Sequence, residues 1–255
     1  MRIRVLGCHG AELADRKTCG FQINQSLLLD AGTICSALSL AEQRQVRHIL
    51  VSHIHLDHTK GLASFSENLQ TEPIDTPVTL IGLQPVLNAL KKYFFNNRVW
   101  PDFTQLPSRE HPVFRMQALS EGERYEIGDL EVRAYAVNHT VPSSGFIIRQ
   151  HNASMLYSGD TYQTENLWNA ATKEASLKAA LLEVSFPDHL IHLAEASKHL
   201  TPAMFKQEFL KIGKPRLPVY AYHMKPCYLQ QIIKELEALA LQNLILLEEG
   251  MSFEI

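Results

Sequence analysis

The stretch Ile49-Leu50-Val51-Ser52-His53-Ile54-His55-Leu56-Asp57-His58 sets three imidazoles and a carboxylate within six positions, directly after an apolar run. Side chains alternate along an extended strand end, so His53 and His55 point the same way and can grip one cation. Asp57 and His58 fall past the strand, where a turn can aim them at a second. Neutral imidazole and carboxylate suit borderline cations such as zinc, and manganese or iron accept the same donors. A polar surface loop is the ordinary account of a histidine-rich stretch. Ligand types at H-x-H-x-D-H spacing, launched from a buried strand and followed by Gly61, favour a two-metal centre instead.

Such a motif needs partners, and three candidates each close a strand-like run. Val132-Arg133-Ala134-Tyr135-Ala136-Val137 leads to His139, Ser154-Met155-Leu156-Tyr157-Ser158 leads through Gly159 to Asp160, and Pro218-Val219-Tyr220-Ala221-Tyr222 leads to His223. Residues at strand ends along one sheet edge converge although they are distant in sequence. Taken alone, either histidine would be an ordinary core or surface residue; their shared placement favours ligation.

With these segments in view, the chain resembles the metallo-β-lactamase superfamily, and within it the class II 3′,5′-cyclic-nucleotide phosphodiesterases. The resemblance covers nearly the whole chain. It runs through Leu6-Gly7-Cys8, Leu28-Leu29-Asp30-Ala31-Gly32, the histidine motif, Asn96-Asn97-Arg98-Val99-Trp100-Pro101-Asp102, Asn138-His139-Thr140-Val141-Pro142, Ser158-Gly159-Asp160-Thr161, Glu183-Val184-Ser185-Phe186-Pro187, His199-Leu200-Thr201-Pro202 and His223-Met224-Lys225-Pro226. His53 to Leu62 is similar to the class II pattern of H-x-H-L-D-H, two variable positions, glycine and an aliphatic residue. Thr59 departs from it, since that family usually carries an aliphatic residue there.

The resemblance implies an α/β (α+β) fold, an αββα sandwich of two mixed sheets flanked by helices, as a single domain over 1–255 with a cap or substrate segment at about 64–112. It implies that His53, His55 and His139 hold one divalent ion, that Asp57, His58 and His223 hold the other, and that Asp160 bridges them. Asp30 resembles an aspartate that orients ligand imidazoles through their free N–H groups; an Asx-type turn before Gly32 is the plainer use. The implied reaction is hydrolysis of cyclic AMP or cyclic GMP to the 5′-monophosphate by a hydroxide held between the ions, with Asp57 in the reacting centre. Metal binding lowers the pKa of water from about 15.7 to about 7, worth roughly 12 kcal/mol. His199 resembles the histidine that contacts phosphate or protonates the departing 3′ oxygen, with Glu183 as its orienting partner once buried. Its plain alternative is a surface residue before a helix cap.

Thr140, beside His139, is a candidate substrate contact. So are Asn96, Asn97 and Trp100, in an aromatic run broken by amides: a ring could stack on a purine while an amide pairs with its edge. The same run could instead pack a cap against the core or against a second subunit. A homodimer is the expectation for such a soluble chain.

Length and charge agree. The 255 residues, 45% of them hydrophobic, suffice for one large core or two packed halves, and exclude a disordered or fibrous chain. A formal charge of −3 with no lysine or arginine block argues against a large nucleic-acid footprint. A tRNA 3′-processing endonuclease shares the metal motif and a His-x-Thr element, yet usually carries a basic, glycine- and proline-rich arm that is absent here. A non-catalytic cyclic-nucleotide-binding protein is the remaining rival. No apolar run reaches membrane-spanning length, and the opening Met1-Arg2-Ile3-Arg4-Val5 alternates like a strand rather than a signal peptide. Cys8, Cys19, Cys35 and Cys227 show no C-x-x-C spacing and read as reduced thiols in the cytoplasm. Cys8 beside His9 suggests a nucleophile pair less than a small packing residue.

Strands are expected at Arg2-Leu6, Ser26-Asp30, Ile49-Ser52, Val78-Ile81, Phe114-Ala118, Glu131-Val137, Phe146-Arg149, Ser154-Ser158, Ala179-Val184, Pro218-Tyr222 and Leu244-Leu247. Helices fit Gln84-Tyr93, Pro202-Ile212 and Tyr228-Leu241, the second opened by Thr201 as N-cap before proline and stopped by Gly213.

Overall fold

Leu27–Leu29 and Leu177–Glu183 are apolar almost throughout, and such strands must be covered on both faces. In the computed structural model, which describes residues 1–70 and 76–255, two seven-stranded mixed sheets meet this demand. The first holds β1 (Arg2–Gly7), β2 (Gly20–Ile23), β3 (Leu27–Leu29), β4 (His48–Leu50), β5 (Val78–Leu83), β6 (Phe114–Leu119) and, at the edge beside β1, β14 (Ser252–Glu254). The second runs β13 (Leu244–Leu246), β12 (Val219–Tyr222), β11 (Leu177–Glu183), β10 (Ala153–Tyr157), β9 (Ser143–Gln150), β8 (Leu130–Val137) and β7 (Tyr125–Ile127). Helices α1 (Leu40–Gln43), α2 (Leu56–Thr59), α3 (Gly61–Leu69) and α4 (Gln84–Tyr93) belong to the first half. Helices α5 (Asn166–Lys173), α6 (Ile191–Ser197), α7 (Pro202–Lys211) and α8 (Leu229–Ala238) belong to the second.

Alternation within the strands sorts the core into layers. Met155 and Tyr157 of β10 and Leu181 of β11 join Phe21 and Leu28 of the first sheet in one buried cluster. Their neighbours Leu156, Ala180 and Leu182 turn outward onto Trp168 of α5, Phe205 and Phe209 of α7 and Ile232 of α8. Full burial of each large apolar side chain is worth roughly 1.5–3 kcal/mol, so these clusters hold helices to the sheet.

Within β3–β6 the strands are mutually parallel, as are β10–β13, while β8 runs the same way as β10 across antiparallel β9. Their C-terminal ends therefore collect along one edge of each sheet. The two edges touch there, with Ser144 N–H donating to Ser52 O at 2.9 Å.

The eleven expected strands are present, with ends shifted by a few residues, and the two-sheet sandwich is as implied. β2, β7 and β14, of four, three and three residues, were not foreseen. α4 matches its expected span, and α2 lies hidden inside the ligand motif. Thr201 holds the N-cap position of α7 but makes no side-chain capping bond. Asp188 Oδ1 takes that role from across the loop, accepting from Ala203 N at 2.9 Å. Gly213 ends α7 at φ +71°, its N–H donating to Leu210 O.

Of the segment expected as a cap at about 64–112, residues 71–75 lie outside the described residues. β5 pairs with β4 and β6 inside the first sheet, and α4 packs on that sheet. The irregular run between α4 and β6 sends Phe95 and Phe103 into the same buried cluster as the first sheet. There Asn96 Oδ1 accepts from the Arg98 and Val99 amides, Asn97 Oδ1 accepts from Asp102 N, and Trp100 Nε1 donates to Ser66 Oγ. The two amides, expected at a base, are engaged within their own turn, and the Trp100 indole is tied to α3.

Candidate metal centre

β4 stops at Leu50, so His53 and His55 lie in the loop beyond it rather than on a strand. His55 keeps an extended backbone (φ −60°, ψ 148°) as N-cap of α2, and the single turn of α2 then presents Asp57 and His58. β8 delivers His139, β10 delivers Asp160 and β12 delivers His223, each just past the strand's last residue. Gly159, at φ +60°, makes the corner before Asp160; a Cβ there would meet Ser144 O at 2.4 Å. Gly32 admits the closest approach, since a Cβ would fall 1.8 Å from Asp57 O.

Two groups of ligand atoms result, His53, His55, His139 and Asp160 in one and Asp57, His58, Asp160 and His223 in the other. His55 Nδ1 lies 3.0 Å from His53 Nε2 and 3.2 Å from His139 Nε2. Asp160 Oδ1 is 3.2 Å from His58 Nε2; its Oδ2 is 3.0 Å from His223 Nε2 and 3.6 Å from His53 Nε2. Asp57 Oδ2 is 3.2 Å from His223 Nε2 and 3.8 Å from His58 Nε2. The structure thus brings together all seven residues for which the sequence suggested ligation.

Hydrogen bonds behind the rings fix which nitrogen faces inward. His58 Nδ1 donates to Asp30 Oδ2 at 2.8 Å and His139 Nδ1 donates to Lys198 O at 3.0 Å. Ser52 Oγ gives its own proton to Asp30 Oδ2, so it accepts from His53 Nδ1. Ser185 Oγ likewise donates to Glu183 Oε2 and accepts from His223 Nδ1. When the rings are neutral, as ligation requires, all four Nε2 atoms therefore turn lone pairs toward one another and toward Asp57 and Asp160. His58 Nε2 and both Asp160 carboxylate oxygens are buried without a hydrogen bond. Converging buried lone pairs call for a cation, so the residues fit the divalent ions that the donor set suggests.

Ionisation follows the same logic. Burial holds His53 and His55 below the usual imidazole range and takes His139 down to about 4, with His199 pushing the same way. Burial also disfavours charge on His58 and His223, but Asp160 and its carboxylate neighbours outweigh it. His58 is raised well above its ordinary value and His223 to about 9. Burial would raise Asp160, yet His223 and His58 beside it hold its carboxyl well below the usual range. At pH 8 the metal-free protein is expected to carry a second ring proton on His223, raised to about 9, and none on His53, His55 or His139. Metal loading at His223 Nε2 must expel that proton. Calorimetric metal titration at pH 8 in buffers of different ionisation enthalpy should read a net release of about one proton from His223; no release would contradict the assignment.

Asp30 is fully buried, and its carboxylate serves Ser52, His58 and Tyr157. The Asx-type turn is not formed, since Gly32 N–H donates to Cys19 O. Glu183, also fully buried, accepts from His199 Nδ1 at 2.9 Å and from Thr161 N at 3.1 Å, the partners that an interior carboxylate requires. The His199 ring stacks on His223 at 5.1 Å and meets His139 edge-on at 5.0 Å. Thr140 is exposed next to His139. Cys8 is a packing residue: buried, its Sγ donates to Leu247 O, and burial pushes its pKa up. All four cysteines are free.

Sequence reasoning missed Ser52, Ser185, Tyr157 and the Lys198 carbonyl. Ser52 and Ser185 stood inside quoted motifs, but a hydroxyl's partner is set by chain packing and leaves no spacing to read.

The profile of the β-lactamase superfamily domain matches residues 26–244. A probable 3′,5′-cyclic-nucleotide phosphodiesterase of Yersinia pestis is 30% identical over 241 residues, covering 82% of this chain and 68% of that protein. The 3′,5′-cyclic-nucleotide phosphodiesterase of Schizosaccharomyces pombe is 28% identical over 173 residues, 60% of this chain, which spans about half that relative's length (47%). A nuclear ribonuclease Z of Triticum aestivum is 29% identical over 140 residues, 54% of this chain and 72% of its own. The crystal structure of unliganded yeast PDE1 superposes with TM-score 0.83 at 19% identity, over 98% of either chain, which speaks for the fold. With the family profile spanning most of its residues and its ligand-bearing strand ends gathered at one edge, the chain belongs to the metal-dependent hydrolases of the β-lactamase superfamily.

Proposed function

We propose that the protein hydrolyses 3′,5′-cyclic nucleotides to nucleoside 5′-monophosphates. The observation that carries this reading is His199, held by a fully buried carboxylate and set against both ligand clusters. The names of the Yersinia and fission-yeast relatives support the substrate class. Two divalent ions, zinc by donor chemistry, would supply charge neutralisation at the phosphoryl oxygens and a water of lowered pKa. His53, His55 and His139 would hold one, Asp57, His58 and His223 the other, and Asp160 both.

His199 does the chain's own chemistry. Glu183 takes the Nδ1 side, leaving Nε2 as the atom that can hand a proton to the departing 3′ oxygen. Ser185 ties the same carboxylate to His223, so acid and ligand share one anchor. His199→Ala should lower kcat by about 10²- to 10⁴-fold while both metals remain, read by steady-state rates alongside metal content. Metal loss equal to that of a ligand variant would remove His199 from this role.

The decisive assay follows 5′-monophosphate release from cyclic AMP and cyclic GMP, before and after chelation. Chelator-sensitive turnover supports the proposal. The wheat relative's name favours a second reading, tRNA 3′ processing, which cleavage of a pre-tRNA without turnover of either cyclic nucleotide would establish.

A further inference from the structure

Lys225 stands two residues beyond His223, on the loop that leaves β12. Its backbone is tied to the site, the amide donating to Ser185 O at 3.4 Å and the carbonyl accepting from Tyr228 N at 2.9 Å. Its ammonium donates to Gly10 O at 3.0 Å and lies 5.4 Å from the centre of the Phe186 ring. Both contacts border the centre. A Cβ on Gly10 would come within 2.5 Å of the His223 ring, and Phe186 meets the His199 ring edge-on at 5.9 Å.

The charge on Lys225 is not matched by a carboxylate among the described residues. Lys60 pairs with Glu12, Lys91 with Asp102 and Lys211 with Glu165 and Glu208; Lys17, Lys206 and Lys214 are held by carbonyls, as is Lys225, which adds a ring face that itself meets His199. An ammonium carries three donors, so this hold leaves donor capacity unspent. A carbonyl is also a weaker partner for it than an anion. A half-buried cation of this kind, on a flexible stem beside an acid histidine, is arranged to receive an anion that arrives with substrate.

We infer that Lys225 is a substrate-binding residue whose ammonium leaves Gly10 O for a non-bridging phosphoryl oxygen on the side of the phosphate facing His199. The ligand class is a phosphate monoester or diester anion. The inference rests on the phosphodiesterase reading for the identity of the substrate, but its own test does not. Hydrolysis turns a diester monoanion into a monoester that approaches a dianion near neutral pH, and a cation in this position meets the added charge.

The test titrates inorganic phosphate into metal-loaded wild type, Lys225→Met and Lys225→Arg by calorimetry, with metal content measured in each. Methionine keeps an unbranched apolar stem over Phe186 while removing the charge. Phosphate affinity should fall roughly 10- to 100-fold in Lys225→Met, with metal content unchanged, and recover in part in Lys225→Arg. KM for the cyclic nucleotide should rise by a similar factor, with a smaller change in kcat. Phosphate affinity within about twofold of wild type in Lys225→Met would overturn the inference, as would a loaded wild type that binds no phosphate. Phosphate binding that depends on Lys225, without turnover of cyclic nucleotide, would uphold this residue's role and defeat the phosphodiesterase reading instead.

Discussion

Asp160→Ala is expected to lower turnover by at least ~10³-fold and to take the metal content from two ions per chain to one or none. Asp160 alone belongs to both ligand groups, one oxygen aimed at His58 and the other at His223 and His53. It is 1% exposed, and both of its oxygens lack hydrogen bonds. Removing it takes a full negative charge from between two positions where positive charge must sit, in surroundings that screen little. Every other candidate ligand serves one group, so its loss should spare the other ion in part.

Asp160→Asn separates charge from packing, because it keeps the shape and removes the charge. Metal content by elemental analysis and rates at saturating metal decide the matter together. Should Asp160→Ala retain two ions and a rate within about tenfold of wild type, the shared-ligand assignment fails. His199→Ala is the matching control, with rate lost and metal kept.

The residue types that build this centre were legible because they are chemically conspicuous. Clustered imidazoles and carboxylates after apolar runs are costly to place by chance, and the shared direction of β8, β10 and β12 explains why the ligands that follow them meet at one edge. Other features were hidden for physical reasons. β4 ends at Leu50 and a one-turn helix carries Asp57 and His58, a length at which no hydrophobic period can show. The run at Asn96 to Trp100 has the composition of a base-binding surface, but amides satisfy turn backbone as readily as purine edges, and only contacts separate the two. Asp188 capping α7 in place of Thr201 is likewise a choice made at a distance, by the turn that precedes α6 reaching the start of α7.

Asp30→Ala should cost more stability than any ligand variant, because one carboxylate supports both halves of the centre. Oδ1 accepts from Ser52 N at 2.7 Å, while Oδ2 accepts from Ser52 Oγ at 2.7 Å, His58 Nδ1 at 2.8 Å and Tyr157 OH at 2.6 Å. Asp30, Ser52, His58 and Tyr157 are all fully buried, so water cannot take over the freed donors. Each buried donor left unpaired costs about 1–3 kcal/mol; even with local relaxation the loss should reach ~3–6 kcal/mol, a large part of a typical stability of about 5–15 kcal/mol. Alanine must also adopt φ +58°, a conformation that aspartate and asparagine tolerate better. Asp30→Asn keeps that tolerance, but whichever way its amide turns, an NH₂ faces a donor, so it should lose about 1–3 kcal/mol. Because Asp30 orients His58 directly and His53 through Ser52, metal affinity should fall by roughly 10- to 100-fold in both variants. Urea unfolding of the metal-free proteins measures the first effect and metal titration the second. If Asp30→Ala unfolds within ~1 kcal/mol of wild type, the four hydrogen bonds are not what holds β3, β4 and β10 to the centre.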